Sequence, residues 1–253
     1  MKRTTHREYD AIVVGSGAGG AAAAYRLARA GLDVLLIEKG TQLPSDGSTL
    51  DIRRVVTNGE FLSREQWLDG AGNALRPEEH FNLGGKTKWY GAALIRYAPH
   101  EFEADTQHGC LGWPISYEDL EPYYTEAERL LGVRNFECEP DLKRILRGLR
   151  GSGGWRTEPL PMGLSPAIME DAHEAAHFDG FASVRDLKAD AQTAFLARGG
   201  GASRLSILTG TEVTALLEST HNARRVAGVR TADGRTYGAR ATLLAAGALH
   251  SPR

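Results

Sequence analysis

Three glycines and one acidic residue near the N-terminus have the types and the spacing of a dinucleotide site. The stretch GSGAGG places Gly15, Gly17 and Gly20 in a G-x-G-x-x-G pattern, with Ser16 between the first two. In this pattern the first glycine permits a tight turn, the second lets the backbone approach a pyrophosphate, and the third lets a helix pack closely. Glu38 stands 18 residues after Gly20, where a carboxylate can accept hydrogen bonds from a ribose diol.

A second stretch has the form of a zinc-protease motif. HEAAH at 173–177 separates His173 and His177 by four residues, so on a helix both would share a face and Glu174 could act as general base. The longer form of the motif ends in a third histidine, and this chain has Ser183 at that position. A polar helix face is the simpler interpretation, and a zinc metalloprotease stays as an alternative.

The elements around the glycines predict a βαβ unit. Residues 9–14 and 33–37 are apolar enough for strands covered on both faces, and the alanine-rich stretch 19–30 predicts a helix that ends at Gly31. Such a unit places its two strands parallel. Further strands are expected at 206–208, 213–217, 226–230 and 236–244, the last running into a buried strand at 242–246. The fold class is therefore α/β, a parallel sheet through the strands near 9, 33, 206 and 242 with an antiparallel meander.

Three helix signals lie outside this unit. Ser116 and Asp119 form a capping box at the start of a helix that reaches Leu131. Residues 141–150, DLKRILRGLR, predict an amphipathic helix with a basic face, which suits either a plain surface helix or a membrane or partner surface. At the C-terminal end, Ser251–Pro252 predicts the start of one more helix.

The composition indicates an ordinary globular protein. Of the 253 residues 42% are apolar and 25% charged, and the formal net charge of −2 gives no electrostatic reason to expect nucleic acid. The two cysteines, Cys110 and Cys138, form neither a disulfide framework nor a metal-ligand spacing. No leader is visible in MKRTTHREYD, and no apolar run reaches the roughly 18 residues of a membrane span. A cytoplasmic protein with reduced thiols is expected.

Four stretches carry a resemblance to a known family. They are YDAIVVGSGAGGAAAAYRLARAGLDVLLIEKG (9–40), NLGGKTKWYGAALIRY (82–97), GWPISYEDLEPYYTEAERLLGV (112–133) and GALHSPR (247–253). With them the chain resembles the glucose–methanol–choline (GMC) flavoprotein oxidoreductases, essentially from Tyr9 to Arg253. KADAQ (188–192) and ILTGTEVTAL (207–216) resemble the branch that includes bacterial gluconate-dehydrogenase-like members.

The resemblance implies FAD as the cofactor, bound by a Rossmann-like domain of the glutathione-reductase type. Lys86, Thr87 and Tyr90 depart from the commoner glycine loop of the family; Thr87 keeps a hydroxyl for phosphate or flavin, and the role of Tyr90 beside the flavin stays open. Gly84, Gly85, Thr87 and Gly91 would line the flavin and pyrophosphate, Val213 would meet the adenine through its backbone, and Ala246 would lie near the pyrophosphate.

The resemblance also implies a domain organisation and an activity. Residues 1–253 would form one FAD-binding domain, with a core at 8–40, 78–98 and 200–253 and inserted lid and helical regions at 41–77 and 99–199. The family's catalytic histidine lies in a C-terminal substrate half that we expect to be absent, so no residue here is assigned as catalytic. The complete enzyme would oxidise the CH–OH group of a small alcohol or sugar by hydride transfer to flavin.

The chain alone is then expected to be inactive. The alternative is a non-catalytic or partner-dependent flavin-binding fragment, completed by a separately encoded C-terminal chain.

Overall fold

The computed structural model describes residues 8–199, 204–220 and 222–252. The seven residues before Glu8, the expected domain boundary at residue 200 and Arg253 lie outside these ranges. Within them, no helix combines the length and the apolar character needed to cross a membrane.

A six-stranded mixed sheet forms the centre of the described chain, and a two-stranded hairpin lies apart from it. The strands are β1 (Glu8–Val14), β2 (Val34–Ile37), β3 (Trp67–Leu68), β4 (Ala74–Leu75), β5 (Leu205–Leu208), β6 (Val213–Ser219), β7 (Asn222–Thr231) and β8 (Thr236–Leu244). The sheet order is β5-β2-β1-β8-β7-β6. Strands β5, β2, β1 and β8 are parallel, which confirms the predicted fold class.

The described ranges also contain helices, of which the first packs directly on this sheet. They are α1 (Ala18–Arg29), α2 (Tyr117–Leu131), α3 (Pro140–Gly151), α4 (Ala172–Ala176), α5 (Ala197–Gly199) and α6 (Gly247–His250). Short 3-10 turns occur at Ser48–Leu50, Gly85–Lys88, Pro99–Phe102 and Pro166–Glu170, and π-helical turns at Arg53–Thr57 and Gln192–Leu196.

Helix α1 packs on the sheet through a face of small residues. Ala21, Ala24 and Ala28 are buried against Val13 and Leu36, which point to this side of the sheet. Alternate residues of the same strands, among them Ile12, point to the opposite side and form a second core with residues of the meander. Both faces of the central strands are therefore covered, as a parallel sheet requires.

Strand β8 joins the meander to the parallel sheet. Its first residues, 236–238, pair antiparallel with β7, and residues 238–244 pair parallel with β1. The last strand of the predicted meander (236–244) and the predicted final strand (242–246) are thus one strand, which ends at Leu244.

The predicted helix start at Ser251 is wrong. Helix α6 begins at Gly247, and Ser251 follows its last residue. The hydroxyl of Ser251 accepts a hydrogen bond from the backbone N–H of Ala246, at 2.9 Å, so this serine closes the turn behind it. The capping box of Ser116 and Asp119 at the start of α2 is present as predicted.

Helix α3 lies on the surface of the described chain. None of its residues is buried, and the apolar side chains of Leu142 and Ile145 are largely exposed. The structure therefore has the amphipathic helix that the sequence predicts, with its apolar face uncovered.

Candidate functional site

The N-terminus of α1 is open to an anion. Gly17 occupies the N-cap position, no side chain caps the helix, and its first turn contains no acidic residue. The first amides of a helix have no partner within it and carry the positive end of the helix dipole. A Cβ built on Gly17 would meet nothing within 4 Å, so there is room for a ligand at this point. This combination suits a pyrophosphate.

The other two glycines of the motif permit close backbone contacts. Gly15 has φ +99°, and a Cβ there would lie 2.5 Å from the carbonyl oxygen of Ala245. A Cβ on Gly20 would lie 2.0 Å from the carbonyl oxygen of Gly15. Ala246 is also close, because its Cα would be 2.9 Å from a Cβ on Gly15. The first turn of α1, the end of β1 and the end of β8 therefore meet at this point.

Ser16 and Glu38 form a buried hydrogen-bonded unit behind the glycines. The hydroxyl of Ser16 donates to Oε2 of Glu38 at 2.6 Å, and the backbone N–H of Ser16 donates to the same oxygen at 2.9 Å. The N–H of Gly40 donates to Oε1 at 2.8 Å. A carboxylate has about four acceptor sites. Three are used within the protein, which leaves capacity for one ribose hydroxyl on Oε1.

Ser16 also joins two loops that are distant in sequence. The backbone N–H of Gly84 donates to the hydroxyl of Ser16 at 2.9 Å. The neighbouring Gly85 lies so close to Gly17 that a Cβ on Gly85 would be 3.0 Å from the Cα of Gly17. The segment 82–92, which we call the second glycine loop, is thus placed directly against the G-x-G-x-x-G turn.

Thr87 and Asn82 hold the second glycine loop from within. The hydroxyl of Thr87 donates to the carbonyl of Gly84 at 2.6 Å and accepts from the N–H of Ala191 at 2.9 Å. The amide of Asn82 donates to the carbonyl of Gly85 at 3.1 Å and accepts from the indole of Trp89 at 2.9 Å. The hydroxyl of Thr87 is therefore engaged inside the protein, whereas the sequence suggests a role toward phosphate or flavin.

The segment 188–192 lies along the back of the second glycine loop. Lys88 and Asp190 form a buried ion pair at 2.9 Å, and a Cβ on Gly84 would lie 3.3 Å from Cε of Lys88. The hydroxyl of Tyr90 donates to the carbonyl of Ala189 at 2.8 Å, and burial raises the pKa of Tyr90 to about 12. These contacts were not predicted, although KADAQ, with polar residues at every second position, has the pattern of an extended segment with one polar side.

Two predicted site residues lie apart from this convergence. A Cβ on Gly91 would lie 2.7 Å from Oδ1 of Asp179, so Gly91 faces the segment after α4. Val213 is the first residue of β6, close to the end of β2, because the N–H of Thr211 donates to the carbonyl of Glu38 at 3.0 Å. Gly15, Ser16, Gly17, Gly20, Glu38, Gly84, Gly85 and Ala246 converge on the N-terminus of α1, with Thr87 behind them.

The HEAAH stretch forms no metal site in the described ranges. Glu174 is buried, and its Oε1 accepts hydrogen bonds from the backbone N–H groups of Val184 and Arg185 at 2.8 and 2.9 Å. The ring nitrogen Nδ1 of His177 is 2.8 Å from the carbonyl of His173. Because its carboxylate is turned inward and engaged, Glu174 is not placed to act as a general base.

The comparison with protein families agrees with this geometry. Residues 10–251 match the DAO family of FAD-dependent oxidoreductases, and the chain belongs to that family. Its relatives are GMC-type oxidoreductases, as the sequence motifs predict. The uncapped helix N-terminus, the space at Gly17 and the carboxylate of Glu38 fit the pyrophosphate and ribose of FAD.

Particular relatives are similar over part of their length. The chain is 41% identical to 6'''-hydroxyparomomycin C oxidase of Streptomyces lividus over 167 residues, which are 62% of this chain and 28% of the relative. It is 38% identical to paromamine 6'-oxidase of Streptomyces fradiae over 138 residues, 52% of this chain and 24% of the relative. Pyridoxine 4-oxidase from Mesorbium loti shares the fold with a TM-score of 0.67 and 20% identity, over 96% of this chain and 50% of the oxidase.

Proposed function

We propose that this chain is the FAD-binding portion of an oxidoreductase that acts on CH–OH groups. The observation that supports this most directly is the uncapped N-terminus of α1, which faces open space at Gly17 and lies against the second glycine loop. Gly15, Gly17 and Gly20 would hold the pyrophosphate, and Glu38 would accept a ribose hydroxyl. Gly84 and Gly85 would line the flavin side and Thr87 would hold them from behind, whereas Gly91 faces the segment after α4. The backbone of Val213 would meet the adenine.

Bound FAD would supply the hydride acceptor, and this chain would supply its binding and orientation. The substrate would be the hydroxyl group of a small alcohol or sugar, and the two relatives from Streptomyces favour an aminoglycoside hydroxyl. Each of these relatives is matched over less than a third of its length.

The test is a pair of substitutions at Gly17, Gly17→Asp and Gly17→Asn. Gly17 has φ −64°, a Cβ there would meet nothing within 4 Å, and Asp and Asn are both favourable N-cap residues. Each variant should therefore keep or slightly raise the thermal midpoint of the free chain. Only Asp adds a negative charge where the pyrophosphate would bind, so its FAD dissociation constant should exceed that of the Asn variant by about a hundredfold.

FAD binding would be measured by flavin absorption after desalting and by titration of the free chain. The wild-type chain should retain flavin. Equal FAD affinity for the Asp and Asn variants would contradict the placement of the pyrophosphate at α1. A folded wild-type chain without affinity for FAD would contradict the proposed function itself.

A second candidate is a flavin-binding chain that acts only with a partner chain. The edge of β8 favours this candidate. After Gly238 one side of β8 pairs with β1, and its other side pairs with no strand within the described ranges. A free strand edge of this kind can pair with another chain. Retained FAD without turnover of any alcohol or amino sugar would favour this candidate, and steady turnover by the chain alone would exclude it.

A further inference from the structure

Lys188 is a fully buried lysine that is held by backbone carbonyl groups. The residue is 1% exposed. Its ammonium group donates to the carbonyl of Tyr90 at 2.7 Å and to those of Phe178 and Phe181 at 2.6 Å each. An ammonium has three N–H donors, and here each one has an acceptor. We call these three oxygens the carbonyl cage.

The carbonyl cage connects separate parts of the chain. Tyr90 belongs to the second glycine loop, whereas Phe178 and Phe181 belong to the segment that follows α4. Asp190, two residues after Lys188, pairs with Lys88 of the same loop. The loop is therefore fixed from behind at two points by one short segment, and its front carries Gly84 and Gly85 against Ser16 and Gly17.

Direct chemistry by Lys188 does not fit its surroundings. At 1% exposure its amine is out of reach of a substrate or of bulk solvent. Asp179, Asp190 and Glu174 favour the charged form of Lys188 electrostatically, whereas the three carbonyls accept its hydrogen bonds directly. What Lys188 can do is neutralise the partial negative charges of three converging carbonyls, which would otherwise repel one another and lack donors.

We infer that Lys188 is a positioning residue, whose ammonium holds the carbonyl cage together and so sets the second glycine loop against the pyrophosphate turn. The inference rests on the proposed function in one respect, namely that the ligand whose affinity depends on this loop is FAD. The cage itself depends only on the protein.

The experiment removes the internal cation and then supplies one from solution. Lys188→Met keeps most of the side-chain volume without the charge, and Lys188→Ala leaves a space that ammonium ion can enter. Lys143→Met, at an exposed lysine of α3, is the matched control. Each chain would be studied for its thermal midpoint, its FAD dissociation constant and the absorption spectrum of bound flavin. Ammonium chloride and tetramethylammonium chloride would be compared at equal ionic strength.

We expect Lys188→Met to raise the FAD dissociation constant by about ten- to a hundredfold, because three buried carbonyls lose their donors, and Lys143→Met to leave it unchanged. In Lys188→Ala, ammonium should restore FAD affinity and the wild-type flavin spectrum. Tetramethylammonium cannot donate hydrogen bonds and should restore neither. If Lys188→Ala does not fold unaided, ammonium should restore folding and flavin binding together.

Two results would overturn the inference. One is wild-type FAD affinity and flavin spectrum in Lys188→Met. The other is an equal effect of the two salts on Lys188→Ala. If the wild-type chain itself fails to bind FAD, the proposed function fails, and the ammonium-specific rise in the thermal midpoint of Lys188→Ala still decides whether the cage exists.

Discussion

Replacing Ser16 by alanine tests the contact between the two glycine loops. The hydroxyl of this fully buried residue accepts from the N–H of Gly84 and donates to the carboxylate of Glu38 at 2.6 Å. Alanine fits the same space and removes both hydrogen bonds. The carboxylate keeps its bonds from the N–H groups of Ser16 and Gly40, so the charge of Glu38 stays partly satisfied. The N–H of Gly84 loses the partner it has in the wild type.

The loss of these two hydrogen bonds determines how far the free energy of unfolding should fall. A hydrogen bond to a charged group contributes about 1.5–3 kcal/mol, and a buried N–H left without an acceptor costs about 1–3 kcal/mol. Because Ser16 mediates both bonds, the losses overlap, and we expect the free energy of unfolding to fall by about 2–4 kcal/mol. That is a large part of the roughly 5–15 kcal/mol that holds a typical domain together.

The assay is urea denaturation of the free chain, followed by titration with FAD. Ser16→Ala should shift the denaturation midpoint to lower urea with an unchanged slope, and it should weaken FAD binding about tenfold or more. Ser152→Ala is the control, since the hydroxyl of that exposed serine makes one local bond, to the carbonyl of Leu149. If the free energy of unfolding of Ser16→Ala fell by less than about 1 kcal/mol and the variant bound FAD as the wild type does, the hydroxyl of Ser16 would not join the two loops.

Two further predictions concern Gly20 and Tyr90. In the free chain Gly20→Ala should lower the thermal midpoint, because its Cβ would lie 2.0 Å from the carbonyl oxygen of Gly15. Gly19→Ala has nothing within 4 Å of its Cβ and should raise the midpoint, because alanine is favoured over glycine in a helix by roughly 1 kcal/mol. Midpoints that move in the same direction would contradict the packing. The raised pKa of Tyr90 means that its contribution to stability is complete below pH 10, where the unfolded side chain is protonated, and is lost as the pH rises toward 12. The stability difference between the wild type and Tyr90→Phe should therefore shrink over that range, and the exposed Tyr123→Phe should show no such change.

The parts of the fold that were predicted from the sequence depend on local patterns. The apolar strands, the small face of α1 and the glycine spacing each lie within one short stretch, and a βαβ unit has one common handedness. The parallel sheet and the meander follow from them. The start of α6 was predicted wrongly, because Ser and Pro at 251 and 252 have the types of a helix start while Ser251 bonds backward to Ala246.

The contacts behind the site could not be predicted in the same way. Lys188 binds three carbonyl groups, and a carbonyl is present at every residue, so no side-chain pattern marks its partners. In HEAAH, conversely, a side-chain pattern is present and the site it suggests does not form. Its residue types suit a zinc site, but Glu174 bonds to backbone amides ten and eleven residues later, which depends on a turn that the motif does not encode.

The side chains around the candidate site are used almost entirely within the protein. The hydroxyls of Ser16 and Thr87 each bond to two protein groups, Lys88 pairs with Asp190, and Glu38 has capacity for one more donor. What stays available to an anion is the backbone, at the first amides of α1 beside Gly17. A phosphate bound there is recognised by amides that any sequence could provide, once glycine allows the approach. The glycine spacing therefore predicts where the ligand binds, while the side chains determine how firmly the two loops are held around it.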